Sequence, residues 1–167
     1  LVGYSDDAHP YKATAGLGKT YETLKIGVKP YPSCRYTHAA LDALIAMRRE
    51  HNLTPDQIKR VEIGLHRNGI TLTGDAATKR HPSSIVGGQF SMFFTGALAL
   101  DQGRFGWDDY ERLGDAAVNA LADKFDVVQD DRLEIGRTHP FGARVSITTD
   151  DGVHERLYAD PSGEPDS

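Results

Sequence analysis

One cysteine, Cys34, stands in the whole sequence of 167 residues, which rules out an intramolecular disulfide and fits a reducing compartment. Long apolar runs are also missing. A transmembrane helix needs about 18 such residues, and the most apolar stretch, 90–100, is broken by Ser91, Thr95 and Gly96. Basic residues are outnumbered, 19 Lys and Arg against 24 Asp and Glu, for a net charge of −5. That balance, with no basic stripe interleaved with aromatics, argues against a nucleic-acid footprint. Seven histidines are present, but none lie at HxxxH or HxH spacing, so metal binding is disfavoured. Leu1-Val2-Gly3-Tyr4 carries neither an initiator methionine nor a signal-peptide pattern. The chain is therefore expected to begin in mid-protein, after a cleavage or at the first ordered residue, and to be cytoplasmic.

What remains is enough for one domain, since a chain of this length buries roughly two-thirds of its unfolded surface. Residues 1–20, with three glycines and a proline, read as an irregular lead-in, with one helical turn around Ala13–Ala15. Alternation over 22–28 suggests a short strand. Pro30 and Pro32 then impose an extended path. Thr37 is a plausible N-cap for a helix over 38–51, whose Leu41, Leu44, Ile45 and Met47 recur at spacings of three and four. Thr54-Pro55-Asp56-Gln57 reads as a capped turn, and Val61, Ile63 and Leu65 as one face of a half-buried strand over 59–67.

Residues 68–84 are rich in Gly, Thr, Ser and Pro and read as a long loop. A helix over 88–102, apolar nearly all round and closed by Gly103, is expected to be central and buried. Two further helices, 107–113 and 115–124, follow, with Trp107 as an anchor between them. A short strand covers 125–129. The strands 143–149 and 153–159 flank Asp150-Asp151-Gly152, a hairpin signal. The order predicts an α+β fold, a mixed sheet with helices packed on one face. The domain spans 21–160, and 161–167 is a frayed tail.

The stretch with most chemistry is Lys29-Pro30-Tyr31-Pro32-Ser33-Cys34-Arg35-Tyr36-Thr37-His38. It leads a lysine, a cysteine, an arginine and a histidine onto the start of a helix. A helix amino end attracts anions through its free N–H groups and macrodipole. With Lys29 and Arg35 beside it, the segment reads as a carboxylate or phosphate clamp, or as a proline-shaped turn bearing two solvated cations. His38 either touches substrate or caps and packs. Cys34 has no base visibly tied to it, so it reads as a small residue at the rim and not as a nucleophile. Lys79-Arg80-His81 either faces an anion or is a solvated cluster. Leu17-Gly18-Lys19-Thr20 is no phosphate loop, because Ala13 occupies the position of the first glycine.

The same stretch, followed by an Ala-rich helix bearing Asp42, resembles the lid-domain motif of the MmgE/PrpD family. Gln89-Phe90-Ser91-Met92, leading to Ala97-Leu98-Ala99-Leu100 and Gly103, is similar to the family's buried helix, and 118–131 to its short helix and strand. The resemblance covers about 20–160. It implies a carboxy-terminal lid domain of a lyase or isomerase that abstracts a proton alpha to a carboxylate of a small di- or tricarboxylate, without metal or organic cofactor. Members include 2-methylcitrate dehydratases, cis-aconitate decarboxylases and iminodisuccinate epimerases.

By resemblance, Lys29 is the lid's site lysine, holding a substrate carboxylate with help from Arg35, Cys34 and His38. Decarboxylase-like members place a histidine where Cys34 stands and dehydratase-like members a cysteine, which tilts the reading toward a 2-methylcitrate dehydratase. Phe93 and Phe94 replace the family's Pro-Tyr, which removes a phenol. The resemblance further implies a helical domain, in cis or in trans, that completes the site, and a homodimer. The isolated chain is then expected to be inactive and to self-associate through the face that meets that domain. The alternative from another class is a non-catalytic binding or dimerisation module.

Overall fold

Three apolar side chains at every second position, Val61, Ile63 and Leu65, place β1 (Arg60–Leu65) inside a sheet, and all three are fully buried. The structure, a computed structural model, describes residues 9–133 and 141–165. Its sheet runs in the order β2-β1-β3-β4. The other strands are β2 (Phe125–Gln129), β3 (Ala143–Thr148) and β4 (Val153–Tyr158). β2 is parallel to β1, with Val61 opposite Phe125, while β3 is antiparallel to β1, with Val61 opposite Ile147. β4 closes the expected hairpin on β3. One face of this mixed sheet, built on Val61, Ile63, Leu65, Phe125, Val145 and Ile147, is completely covered.

The cover is helical. α1 (His38–Glu50) packs on β3 and β4, and α5 (Met92–Gln102) packs on α1 and β2. The fold is therefore α+β with helices on one face. Every residue from Met92 to Leu100 is buried. At about 2 kcal/mol for each large apolar side chain removed from water, α5 is the main hydrophobic contributor. Gly96 is what brings α5 so close to the sheet, because a Cβ there would lie 2.6 Å from the Phe125 ring. Gly103 ends α5 in a left-handed conformation, φ 70°, with its N–H on the Ala99 carbonyl. Among the described residues no helix is long and apolar enough to cross a membrane.

The opposite face of the sheet is charged. Arg144 donates to Glu62 (2.6 Å) and to Asp130 (2.8 Å), and Asp130 also binds Arg132 (2.7 Å). Gly64 leaves room for this pair: a Cβ there would sit 2.9 Å from that of Asp130.

Several expectations are corrected. Residues 22–28 are not a strand: Glu22–Lys25 is a 3-10 turn, and Leu24, Ile26 and Val28 are 62–82% exposed. Alternation makes a strand only where a sheet edge offers ladder partners. The long loop is largely helical, through α2 (Arg67–Gly69), a π turn (Ile70–Gly74), α3 (Ala76–Lys79) and α4 (Ile85–Gln89). His66, Asp75 and Ser84 cap these short pieces with side-chain acceptors, so residues that look like breakers act as caps.

The helix expected over 88–102 is split, because Ser91 is extended and its Oγ accepts the Phe94 N–H at 2.9 Å. The 107–113 helix is a 3-10 stretch (Trp107–Arg112), followed by α6 (Ala116–Ala122). Trp107 is 59% exposed and stands edge-on to Tyr110 with ring centroids 5.6 Å apart; Tyr110, 4% exposed, is the buried anchor. The turn at 54–57 forms as read, with the Thr54 N–H on Gln57 at 2.8 Å. The helical turn near Ala13–Ala15 is the 3-10 stretch Pro10–Thr14. Residues 1–8 of the lead-in lie outside the described residues.

Candidate functional site

Proline removes an N–H donor and fixes φ, so a segment holding Pro30 and Pro32 cannot join a helix or ladder and must be held by its carbonyls. The Pro32 carbonyl accepts the Tyr110 hydroxyl at 2.8 Å and the Gln89 amide at 3.3 Å. The Cys34 N–H then donates to the Gln89 carbonyl at 2.8 Å. These bonds clip the segment between the end of α4 and the Trp107–Arg112 turn. Cys34 is the last extended residue, and Arg35–Thr37 form a 3-10 turn that runs straight into α1.

Thr37 therefore lies inside the helical run and caps nothing. Its Oγ1 donates to the Cys34 carbonyl at 2.8 Å and receives the Ser33 hydroxyl at 2.8 Å. The helical run begins three residues earlier than the pattern of apolar residues shows.

Ser33 is the centre of the arrangement. Its carbonyl oxygen lies 3.1 Å from Lys29 Nζ and 3.3 Å from His38 Nε2. A carbonyl only accepts, so both nitrogens donate, and His38 carries its proton on Nε2. Nδ1 then holds a lone pair; it is buried and, among the described residues, has no hydrogen-bond partner. His38 is 0% exposed and stands edge-on to Tyr31, with ring centroids 5.4 Å apart. Burial is the main cause that pushes its pKa down to about 4. The charges of Lys29 and Arg35 act in the same direction, and the Ser33 carbonyl and Asp42 oppose them. At neutral pH the ring is uncharged.

Two other groups reach the site from far along the sequence. The Tyr31 hydroxyl donates to Asp42 at 2.6 Å, and burial together with that carboxylate raises the phenol above its ordinary range. Asp42 also accepts the Ser162 N–H at 2.8 Å and the Ser162 hydroxyl at 2.9 Å. Arg35 donates from Nε to Glu164 at 2.8 Å, and its guanidinium lies over the Phe141 ring at 5.4 Å. Residues 161–165, expected to fray, instead lie against this surface, with Pro161 buried. Main-chain and side-chain partners on Val28, Arg35 and Asp42 hold them. The rest of the expected tail, 166–167, lies outside the described residues.

Of the four residues singled out from the sequence, Lys29 and His38 meet on one carbonyl. Cys34 and Arg35 stand where the helical run begins. Lys29 is exposed, Cys34 and Arg35 are half-buried, and His38 is closed off. Among the described residues the Cys34 thiol makes no hydrogen bond, whereas Arg35 is engaged by Glu164. Sequence reasoning missed Ser162 and Glu164, and gave no role to Ser33, Tyr31 or Asp42. Tyr31 and Asp42 are eleven residues apart and Arg35 and Glu164 are 129 apart, so no local pattern links either pair.

The Lys79-Arg80-His81 cluster is structural. Arg80 donates to the Ala122 and Phe125 carbonyls at 2.8 and 2.9 Å, and His81 pairs with Asp123 at 2.8 Å. Phe93 and Phe94 are in the core, 1% exposed, so the positions at which this chain departs from the family's Pro-Tyr do not face the segment's open side.

The profile of the MmgE/PrpD C-terminal domain matches residues 31–167, which takes in all of this site from Tyr31 onward. The chain belongs to the MmgE/PrpD family. A relative is the cis-aconitate decarboxylase-like protein oryM of Aspergillus oryzae, 29% identical over 169 residues. That alignment covers 96% of this chain and 35% of the relative, so the chain spans about a third of the length of the curated relative it matches. Family membership makes it a domain of a lyase-containing family. Within this MmgE/PrpD domain the family profile includes both halves of the clamp region, the 31–38 segment and the 160–165 segment.

Proposed function

We propose that this MmgE/PrpD domain is the lid of a lyase or isomerase acting on a small di- or tricarboxylate by proton abstraction alpha to a carboxylate. The observation that carries the reading is the Ser33 carbonyl shared by Lys29 and His38. It holds an exposed ammonium beside the start of the helical run into α1. One N–H of that ammonium is taken by Ser33, which leaves further donors for a carboxylate oxygen. As the proton leaves the substrate, negative charge grows on the carboxylate next to the reacting carbon, and a cation fixed there beforehand stabilises it.

His38 acts as a positioning residue in this reading. Neutral and fully buried, it donates to Ser33 and adds no second charge beside Lys29. Cys34 and Arg35 line the substrate side. The base comes from a helical domain, in cis or in trans, that covers the Lys29 side, and the assembled enzyme is a homodimer. Cys34 in place of a histidine favours dehydration of a 2-methylcitrate-like substrate. The similarity to a protein named cis-aconitate decarboxylase-like supports the same polycarboxylate chemistry.

The test is turnover of 2-methylcitrate and of cis-aconitate by the protein joined with its helical domain. Lys29→Ala is expected to lower turnover at least tenfold. Unchanged turnover would remove Lys29 from the mechanism and leave it a surface charge, whereas no turnover of either acid by the unaltered assembly would leave a binding module as the better account.

A further inference from the structure

Residues 160–165 lie against Val28, Arg35 and Asp42, and they bring a carboxylate to Arg35. Glu164 accepts from both Nε and Nη2 of Arg35. Two residues earlier, Ser162 places its N–H and its hydroxyl on Asp42. Between them, the Gly163 carbonyl accepts the Val28 N–H at 2.8 Å. Gly163 has φ 84°, and a Cβ there would lie 2.0 Å from the Val28 carbonyl oxygen. At Gly27, beside it, a Cβ would meet the mobile end of Arg35, Nη2, at 2.5 Å and the Gly163 carbonyl at 3.2 Å, a milder constraint. The segment is thus seated with a fit at residue 163 that only glycine allows. A depression of about 480 Å³ opens beside it, lined by Asp42, Tyr158, Asp160, Ser162 and Gly163.

We propose that 160–165 is an internal strap whose Glu164 occupies the Arg35 guanidinium as a carboxylate stand-in, so that a polycarboxylate ligand must displace it to gain Arg35. The inference rests on the carboxylate-binding reading of the Lys29–Arg35 surface and adds a regulatory contact to it. The physics is competition between like groups. A guanidinium holds one carboxylate in a two-donor geometry, and an intramolecular carboxylate is already present at high local concentration. The strap's remaining anchors are a few polar bonds at a half-exposed surface, each of modest net strength, so a ligand with two or three carboxylates can exchange for them. If the latched form dominates, the apparent affinity falls by the fraction of molecules left open.

The experiment uses citrate as the probe, with calorimetry at low salt and amide hydrogen exchange on the same samples. Glu164→Gln is expected to bind citrate about fivefold more tightly than the unaltered chain. Citrate added to the unaltered chain is expected to speed exchange at the Ser162 and Val28 amides. Gly163→Ala, which unseats the strap without touching Arg35, is the second variant, and it should reproduce both the tighter binding and the faster exchange. Equal citrate affinity in all three chains would overturn the strap while leaving the carboxylate site intact. Absence of citrate binding in all three would overturn both.

Discussion

Lys29 and His38 share a single acceptor, the Ser33 carbonyl, at 3.1 and 3.3 Å. One nitrogen is an exposed ammonium and the other belongs to a fully buried neutral ring, so the pair sets a cation at the surface on an uncharged support. Burial opposes a charge on His38, and the cations Lys29 and Arg35 add to that opposition, which is what depresses its pKa.

Charge at Lys29 should govern carboxylate binding without governing the fold. Lys29 is exposed and its one hydrogen bond among the described residues is to Ser33, so Lys29→Met should change unfolding free energy by about 0.5 kcal/mol or less. Citrate affinity should fall about tenfold, and the salt dependence of binding should weaken. Calorimetry at two ionic strengths checks this; undiminished affinity would mean that the cation is only solvated.

Acid should unfold the protein in two separable steps. His38 has a folded pKa of about 4 against about 6.5 unfolded. The unfolded chain therefore takes up the proton first, and stability is lost as pH falls from about 6.5 to about 4. The loss amounts to about 3 kcal/mol over that window. Asp130, held well below the usual carboxylate range first by Arg132 and also by Arg144, contributes stability that is present above about 3.9 and is lost as pH falls further. Urea unfolding at pH 7, 4.5 and 3 measures both. The His38 Cε1 proton resonance should stay flat from pH 8 to pH 5; a midpoint near 6.5 would show a solvated ring.

The charged face of the sheet should depend on Arg144. Its side chain is 11% exposed and bridges Glu62 and Asp130, the latter 7% exposed. Arg144→Leu leaves a buried carboxylate with Arg132 alone and should cost about 3 kcal/mol. The double variant Arg144→Leu with Asp130→Leu should recover part of that loss, as chemical denaturation would show. No recovery would mean that the arginine acts by packing rather than by charge.

Gly96→Ala should be costly even though alanine is the better helix former. The added methyl would meet the Phe125 ring at 2.6 Å, so α5 must move away from the sheet. A loss of about 1–3 kcal/mol is expected, reversed in part by Phe125→Leu. A neutral or stabilising Gly96→Ala would show that the ring has room to shift.

Much of the fold was legible because burial leaves a period in the sequence. Val61, Ile63 and Leu65 alternate, and α5 is apolar all round because its whole circumference is covered. The Asp150-Asp151-Gly152 hairpin and the Gly103 stop follow from local turn chemistry. Elements whose stability comes from caps or partners were misread. The segment 22–28 alternates but finds no ladder, and the polar stretch after β1 is helical because His66, Asp75 and Ser84 satisfy its free N–H groups. The candidate site was half visible: Lys29, Ser33, Cys34, Arg35 and His38 are neighbours in sequence, whereas Glu164 on Arg35 and Ser162 on Asp42 are not.

The sequence alone determined which groups stand near one another along 29–38, and the stiff path that two prolines impose on them, because φ restriction and helix entry are local effects. It also determined the core, since apolar periodicity records which side of each element loses water. Tertiary structure decided the protonation and accessibility of each group. His38 is neutral because α1 buries it beside two cations, and Arg35 is engaged because the strap returns from β4 with Glu164. Burial depth and contacts between residues more than a hundred positions apart depend on how the whole chain packs, and no local pattern encodes them.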